Sequence, residues 1–127
     1  MNVPLVLYLR GTCYYNLEKY DLAIKDFTDA ISMSSNSNSN DNNENYLHES
    51  NVALLFANLG LCYFARKETE KAVEDFTKAI SMGLKDSKIY NMRAIAYQLL
   101  GKVEEAKKDR CCHLIVLTHN VDSKRWH

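Results

Sequence analysis

Proline is almost missing from this chain. Pro4 is the single one among 127 residues, and there are only four glycines. So few breakers leave little to interrupt helices. Long apolar runs are missing too: no stretch approaches the ~18–20 residues that a membrane span requires. The opening "MNVPLVLYLRG" has an apolar run but neither a basic start nor a small-residue cleavage site, so it reads poorly as a secretory signal. Neither charge dominates. Lys plus Arg and Asp plus Glu are 16 each, so net charge argues neither for nucleic acid nor for an anionic membrane as partner. There is no Asn-x-Ser/Thr sequon. A reducing cytoplasm is the expected location, and the four cysteines are expected to be thiols.

Signatures of chemistry are scarce as well. There is no Gly-rich phosphate loop and no GxSxG, and His48-Glu49 lacks the second histidine of a zinc helix. "RCCHL" at 110–114 invites a metal reading, but three consecutive helical residues point ~100° apart and cannot close one tetrahedral site. Glu74, Asp75, Glu104 and Glu105 sit beside lysines and read as solvated helix surface. Lys102, Lys107, Lys108, Arg110, Lys124 and Arg125 lack the interleaved aromatics that single-stranded nucleic acid needs. The expectation is therefore no enzyme, no cofactor and no metal.

What the chain does contain is repetition. "DFTDAISM" at 26–33 returns as "DFTKAISM" at 75–82, 49 residues on. At an offset of 34, "FANLGLCYFARKETEKAVEDF" (56–76) aligns with "YNMRAIAYQLLGKVEEAKKDR" (90–110). The two offsets differ by 15, the length of the tract "NSNSNDNNENYLHES" at 36–50. That Asn/Ser-rich tract reads as an insertion, solvated and mobile in its first part.

Each unit reads as two helices. Apolar residues recur at 3–4 residue spacing, as at Leu22, Ala23, Phe27, Ala30 and Ile31, and nothing alternates with period two. Helices are expected at about 3–16, 19–33, 49–66, 69–82, 86–100 and 103–118. Asp86 is a fair N-cap and Gly83 a fair stop. The small residues Gly11, Gly60 and Ala94, and their counterparts Ala23, Ala72 and Ala106, let two helices approach closely. Cys13 and Cys62 match Ala96 in the third unit, so both read as small core residues. One hairpin cannot bury its apolar face alone; three stacked ones can.

"LYLRGTCY…A…F", "FANLGLCY…A…F" and "YNMRAIAY…A" resemble the tetratricopeptide repeat (TPR), whose 34-residue pattern runs W-x2-L-G-x2-Y…A-x3-F…P. The long first connection looks more specifically like the TPR domains of large immunophilins and co-chaperones. Departures exist: Ser35 and Leu84 replace the closing proline, and Arg110 and His113 stand where Phe and Ala belong. The implied fold is all-α, an α-solenoid of three TPR helix-turn-helix units at about 4–35, 53–86 and 87–118, with a C-terminal tail at 119–127.

In this family the first helix of each unit lines a concave groove. By helical spacing the groove residues would be Tyr8, Thr12 and Tyr15; Leu54, Asn58, Leu61 and Phe64; and Lys88, Asn91, Met92 and Ile95, with Leu5, Leu9, Ala57 and Leu99 alongside. The implied function is a non-catalytic adaptor or co-chaperone-like module that binds a peptide or helix.

One alternative is a carboxylate clamp for the acidic C-terminal tails of heat-shock chaperones. Carried over from the resemblance, its asparagine is Asn58 and its lysine Lys88. A second lysine falls on Tyr8, a second asparagine on Thr12 (as in immunophilins) and the arginine on Met92, with Arg93 one place on. The other alternative is self-association through the last helix, with Cys112, Leu114, Ile115 and Val116.

Overall fold

The computed structural model describes residues 3–36 and 49–125. The helices are α1 Val3–Asn16, α2 Tyr20–Asn36, α3 Glu49–Ala65, α4 Thr69–Ser81, α5 Ser87–Leu99 and α6 Val103–Arg125; there is no strand among the described residues. The inserted tract lies outside the described residues, apart from Asn36, Glu49 and Ser50, which belong to α2 and α3. Two compact units divide between Leu84 and Lys85.

In the first unit α1 packs on α2, α2 on α3, and α3 on α4, while α1 also reaches α3. Small residues decide how closely. A Cβ on Gly11 would come within 2.8 Å of the Phe27 ring, and one on Gly60 within 2.6 Å of Phe76. Both rings are fully buried, as are Ala23, Ala30, Ala72 and Ala79 on the same second helices. Each buried ring contributes about 3 kcal/mol. Between the first two hairpins, Ala23, Phe27 and Ala30 meet Leu55, Leu59 and Cys62 in one core, with Tyr8, Tyr14 and Tyr15 packed against it.

In the second unit α5 packs on α6, and Ile89, Ala94, Ala96 and Ala106 are buried. Its two departures from the repeat each take a polar role. The Arg110 guanidinium turns out to Gln98 Oε1 instead of filling the core. His113 Nδ1 lies 2.7 Å from the Ser87 carbonyl oxygen; since that oxygen can only accept, Nδ1 carries the hydrogen and donates it.

All three hairpins turn alike. Glu18 (φ 64°), Lys67 (φ 67°) and Gly101 (φ 80°) take the left-handed region at equivalent places. The next amide then reaches back: Lys19 N to Tyr14 O, Glu68 N to Tyr63 O and Lys102 N to Tyr97 O, each 2.8 Å. This satisfies a carbonyl that the ending helix would leave unpaired. Gly83 (φ 99°) closes α4, and the Asp86 carboxylate caps α5 by accepting from Lys88 N at 2.9 Å.

Several expectations need correction. Cys13 is exposed; only Cys62 is core. In α3, Leu55, Leu59 and Cys62 lie under α2, whereas the matching α1 residues Val6, Arg10 and Cys13 are exposed. Ala57 is buried rather than groove-lining. Asp26 is buried. Asp75, read as surface, is half-buried, with one oxygen shielded and unbonded. Finally, α6 continues to Arg125 through most of the segment expected as a tail.

Candidate functional site

Tyr8, Thr12 and Tyr15 are spaced i, i+4, i+7 along α1, and Leu54, Asn58 and Leu61 likewise along α3. Such spacing puts each trio on one helix face. All six are half-exposed, as is Phe64. Where the two faces meet, Leu5, Tyr8, Asn51 and Leu54 enclose a cleft of about 100 Å³. Asn51 was not among the sequence-derived candidates. Its spacing, three residues before Leu54, puts it on the same helix face, but its exposure and its place in the cleft follow from how α3 lies against α1.

The side chains differ in how much they have left to offer. The Tyr8 ring leans on Phe27, centroids 6.2 Å apart, so one side is core and the other lines the cleft. The Thr12 hydroxyl donates to the Tyr8 carbonyl at 2.9 Å, which uses its only hydrogen. Tyr15 stands edge-on to Tyr20 at 5.6 Å, and burial pushes its phenol up. Among the described residues nothing bonds the Asn58 amide or the Lys88 ammonium, and both are accessible. Burial raises the Cys62 thiol to about 12, which rules it out as a nucleophile at neutral pH.

In the second unit Lys88, Asn91, Met92 and Ile95 follow one another along one side of α5, Lys88 and Ile95 exposed and the other two half-exposed. Arg93 does not join them. It grips Asp109 with two bonds of 2.7 and 2.6 Å and lies over Tyr97 and Tyr90. The proximity of Arg93 to the clamp position in sequence is therefore no proximity in role. On α6, Leu114 and Ile115 are exposed, while Cys112 and Val116 are half-buried.

A larger hollow of about 380 Å³ lies at the α1–α2 turn, lined by Glu18, Lys19, Tyr20, Asp21, Leu22 and Arg66. It is an open corner crossed by the Arg66–Asp21 ion pair (2.9 Å), with no enclosed apolar floor. No group of three metal-ligating side chains occurs among the described residues, and none of their helices is long and apolar enough to cross a membrane.

The tetratricopeptide repeat family pattern matches residues 4–37 and 53–82, half of the chain, and the chain belongs to this family of protein-interaction domains, which are generally non-catalytic. Among solved structures it is similar to the second TPR of Spaghetti (RPAP3) bound to the HSP90 peptide SRMEEVD, at 29% identity and a TM-score of 0.73, over 90% of this chain and 92% of that one. The first TPR of Spaghetti (RPAP3), bound to the same peptide, matches at 29% and 0.73 over 90% and 79%. The first TPR domain of human RPAP3 matches at 29% and 0.68 over 91% and 79%. The all-α TPR solenoid class expected from the sequence is the fold these relatives share. A search of curated proteins finds no match.

Proposed function

We propose that this chain is a protein-interaction module, adaptor or co-chaperone-like, that holds a peptide or helix of another protein on the first helices of its hairpins. The observation that carries this reading is the cleft between α1 and α3. It is lined by Leu5, Tyr8, Asn51 and Leu54, without a charged group, and at about 100 Å³ it suits one aliphatic side chain. One turn along α3 from Leu54, the unbonded Asn58 amide is available to a peptide backbone. Tyr8, Thr12, Tyr15, Leu61 and Phe64 extend this face, and Lys88, Asn91, Met92 and Ile95 occupy one side of α5 in the second unit.

The clamp for a chaperone tail is a second reading, favoured by the RPAP3 domains that bind SRMEEVD. Asn58 and Lys88 support it; Tyr8 and Met92, in place of cations, and the committed Thr12 hydrogen weaken it. Titration with SRMEEVD, once with a free and once with an amidated C-terminus, separates the readings. Cleft binding tolerates amidation and weakens ~10-fold on Leu54→Ala, the scale of a lost aliphatic contact. Clamp binding needs the free carboxylate and weakens ~10-fold on Lys88→Ala. The module reading fails if neither form binds and a random peptide display library yields no ligand that Leu54→Ala or Asn58→Ala weakens.

A further inference from the structure

The three hairpins carry an aspartate at the same point of their second helix: Asp26, Asp75 and Asp109. In the first and third, an arginine sixteen residues earlier answers it. Arg10 Nε and Nη2 donate to Asp26 at 2.8 Å each, and Arg93 Nε and Nη2 donate to Asp109 at 2.7 and 2.6 Å. Both carboxylates are buried, 1% and 3% exposed, and two charge-assisted bonds let a carboxylate stay ionised there.

The middle hairpin breaks the pattern. Sixteen residues before Asp75 stands Leu59, 5% exposed, whose side chain belongs to the core between α2 and α3. No side chain among the described residues hydrogen-bonds the Oδ2 of Asp75 in its place. Within the first unit the packed neighbour of α4 is α3, whose titratable residues are Glu49, at its far end, Cys62 and Tyr63. On α4 itself the nearby charges are Lys71, Glu74 and Lys78. Lys71 is engaged elsewhere, over the Tyr63 ring at 5.5 Å and 3.6 Å from Glu68. Asp75 Oδ2 is shut off from solvent and accepts no hydrogen bond.

We propose that Asp75 makes the α3–α4 hairpin a proton-sensitive element, held most firmly with the carboxyl neutral and weakened when it ionises. Burial drives this carboxyl up to about 6; Glu74 adds to the rise and Lys71 opposes it. In the unfolded chain an aspartate titrates near ~3.9. The folded value is the higher one, so Asp75 favours the fold fully below about pH 4. That contribution is lost as pH climbs through about 6. Ordinary salt-bridged carboxylates work in the opposite direction. The device is therefore local to the middle hairpin and independent of what the groove holds.

The experiment is a carboxyl-carbon NMR titration of the whole chain, with urea unfolding of the wild type and Asp75→Asn from pH 4.5 to 8. The expected Asp75 midpoint lies about two pH units above that of a free aspartate, a roughly hundredfold tighter hold on the proton. The urea midpoint of Asp75→Asn should exceed the wild type at pH 8, and the gap should close toward pH 4.5. Leu59→Arg supplies the guanidinium of the outer hairpins and should pull the Asp75 midpoint down. An Asp75 midpoint near 4 in the wild type, with a gap that stays constant across pH, overturns the proposal. So does a midpoint that remains near 6 in folded Leu59→Arg protein. If that variant does not fold, the first two measurements decide alone.

Discussion

Gly11 and Gly60 leave room that Phe27 and Phe76 fill, and this exchange fixes how near the two helices of a hairpin can come. In a free helix, alanine outranks glycine by about 1 kcal/mol. Here a methyl group at residue 60 would sit 2.6 Å from a ring that is itself fully enclosed. Overpacking of this kind costs about 1–3 kcal/mol and outweighs the helical gain. Gly60→Ala should lower stability by about 1–2 kcal/mol, and Gly11→Ala, with a 2.8 Å approach, by somewhat less. Chemical denaturation measures both, and a rise in stability for either would contradict the packing argument. These glycines were legible in the sequence because they recur at the repeat offset. The aspartates were not. Asp26 and Asp109 look like surface acids until the hairpin closes and brings an arginine from sixteen residues away. Arg93 lies next to a clamp position in the chain, but one residue is a ~100° rotation on a helix, and its guanidinium turns to Asp109.

Among the elements, the turns show most directly how one conformation is met by unequal residues. Gly101 adopts its positive φ without strain, whereas Glu18 and Lys67 hold nearly the same angle with a Cβ attached. A left-handed non-glycine residue costs about 1–2 kcal/mol, offset in part by the greater entropy glycine has in the unfolded chain. Glu18→Gly and Lys67→Gly should each stabilise by about 0.5–1 kcal/mol, and Gly101→Ala should cost about 1. Thermal unfolding of the three variants tests this; a loss of stability in either glycine variant would mean that the side chain matters more than the angle. Helix positions were legible to within a residue or two where a cap marks the boundary, as at Asp86 and Gly83. They were not where no breaker stands. α2 runs to Asn36 and α6 to Arg125, because backbone bonds continue until something stops them.

On the scale of the whole chain, the charges balance at 16 of each sign, so no net field draws in a charged ligand. Association with a peptide should then proceed at about 10⁵–10⁶ M⁻¹s⁻¹ and respond weakly to salt, as for uncharged encounters. Stopped-flow mixing with SRMEEVD at low and high ionic strength checks this. A steep fall in rate with salt would point to the clamp, with Lys88 as the attracting group.

Composition and repetition by themselves determined that the chain is helical, that it is made of hairpins, and that small residues mark their contacts. Those properties depend on neighbours three, four or thirty-four places away, which a sequence displays directly. Only the tertiary structure decided which aspartates have partners, that Cys13 faces outward while Cys62 does not, and that Asn51 joins the cleft. Each of those depends on which helix lies against which, and burial is a property of the assembled pair rather than of either residue alone.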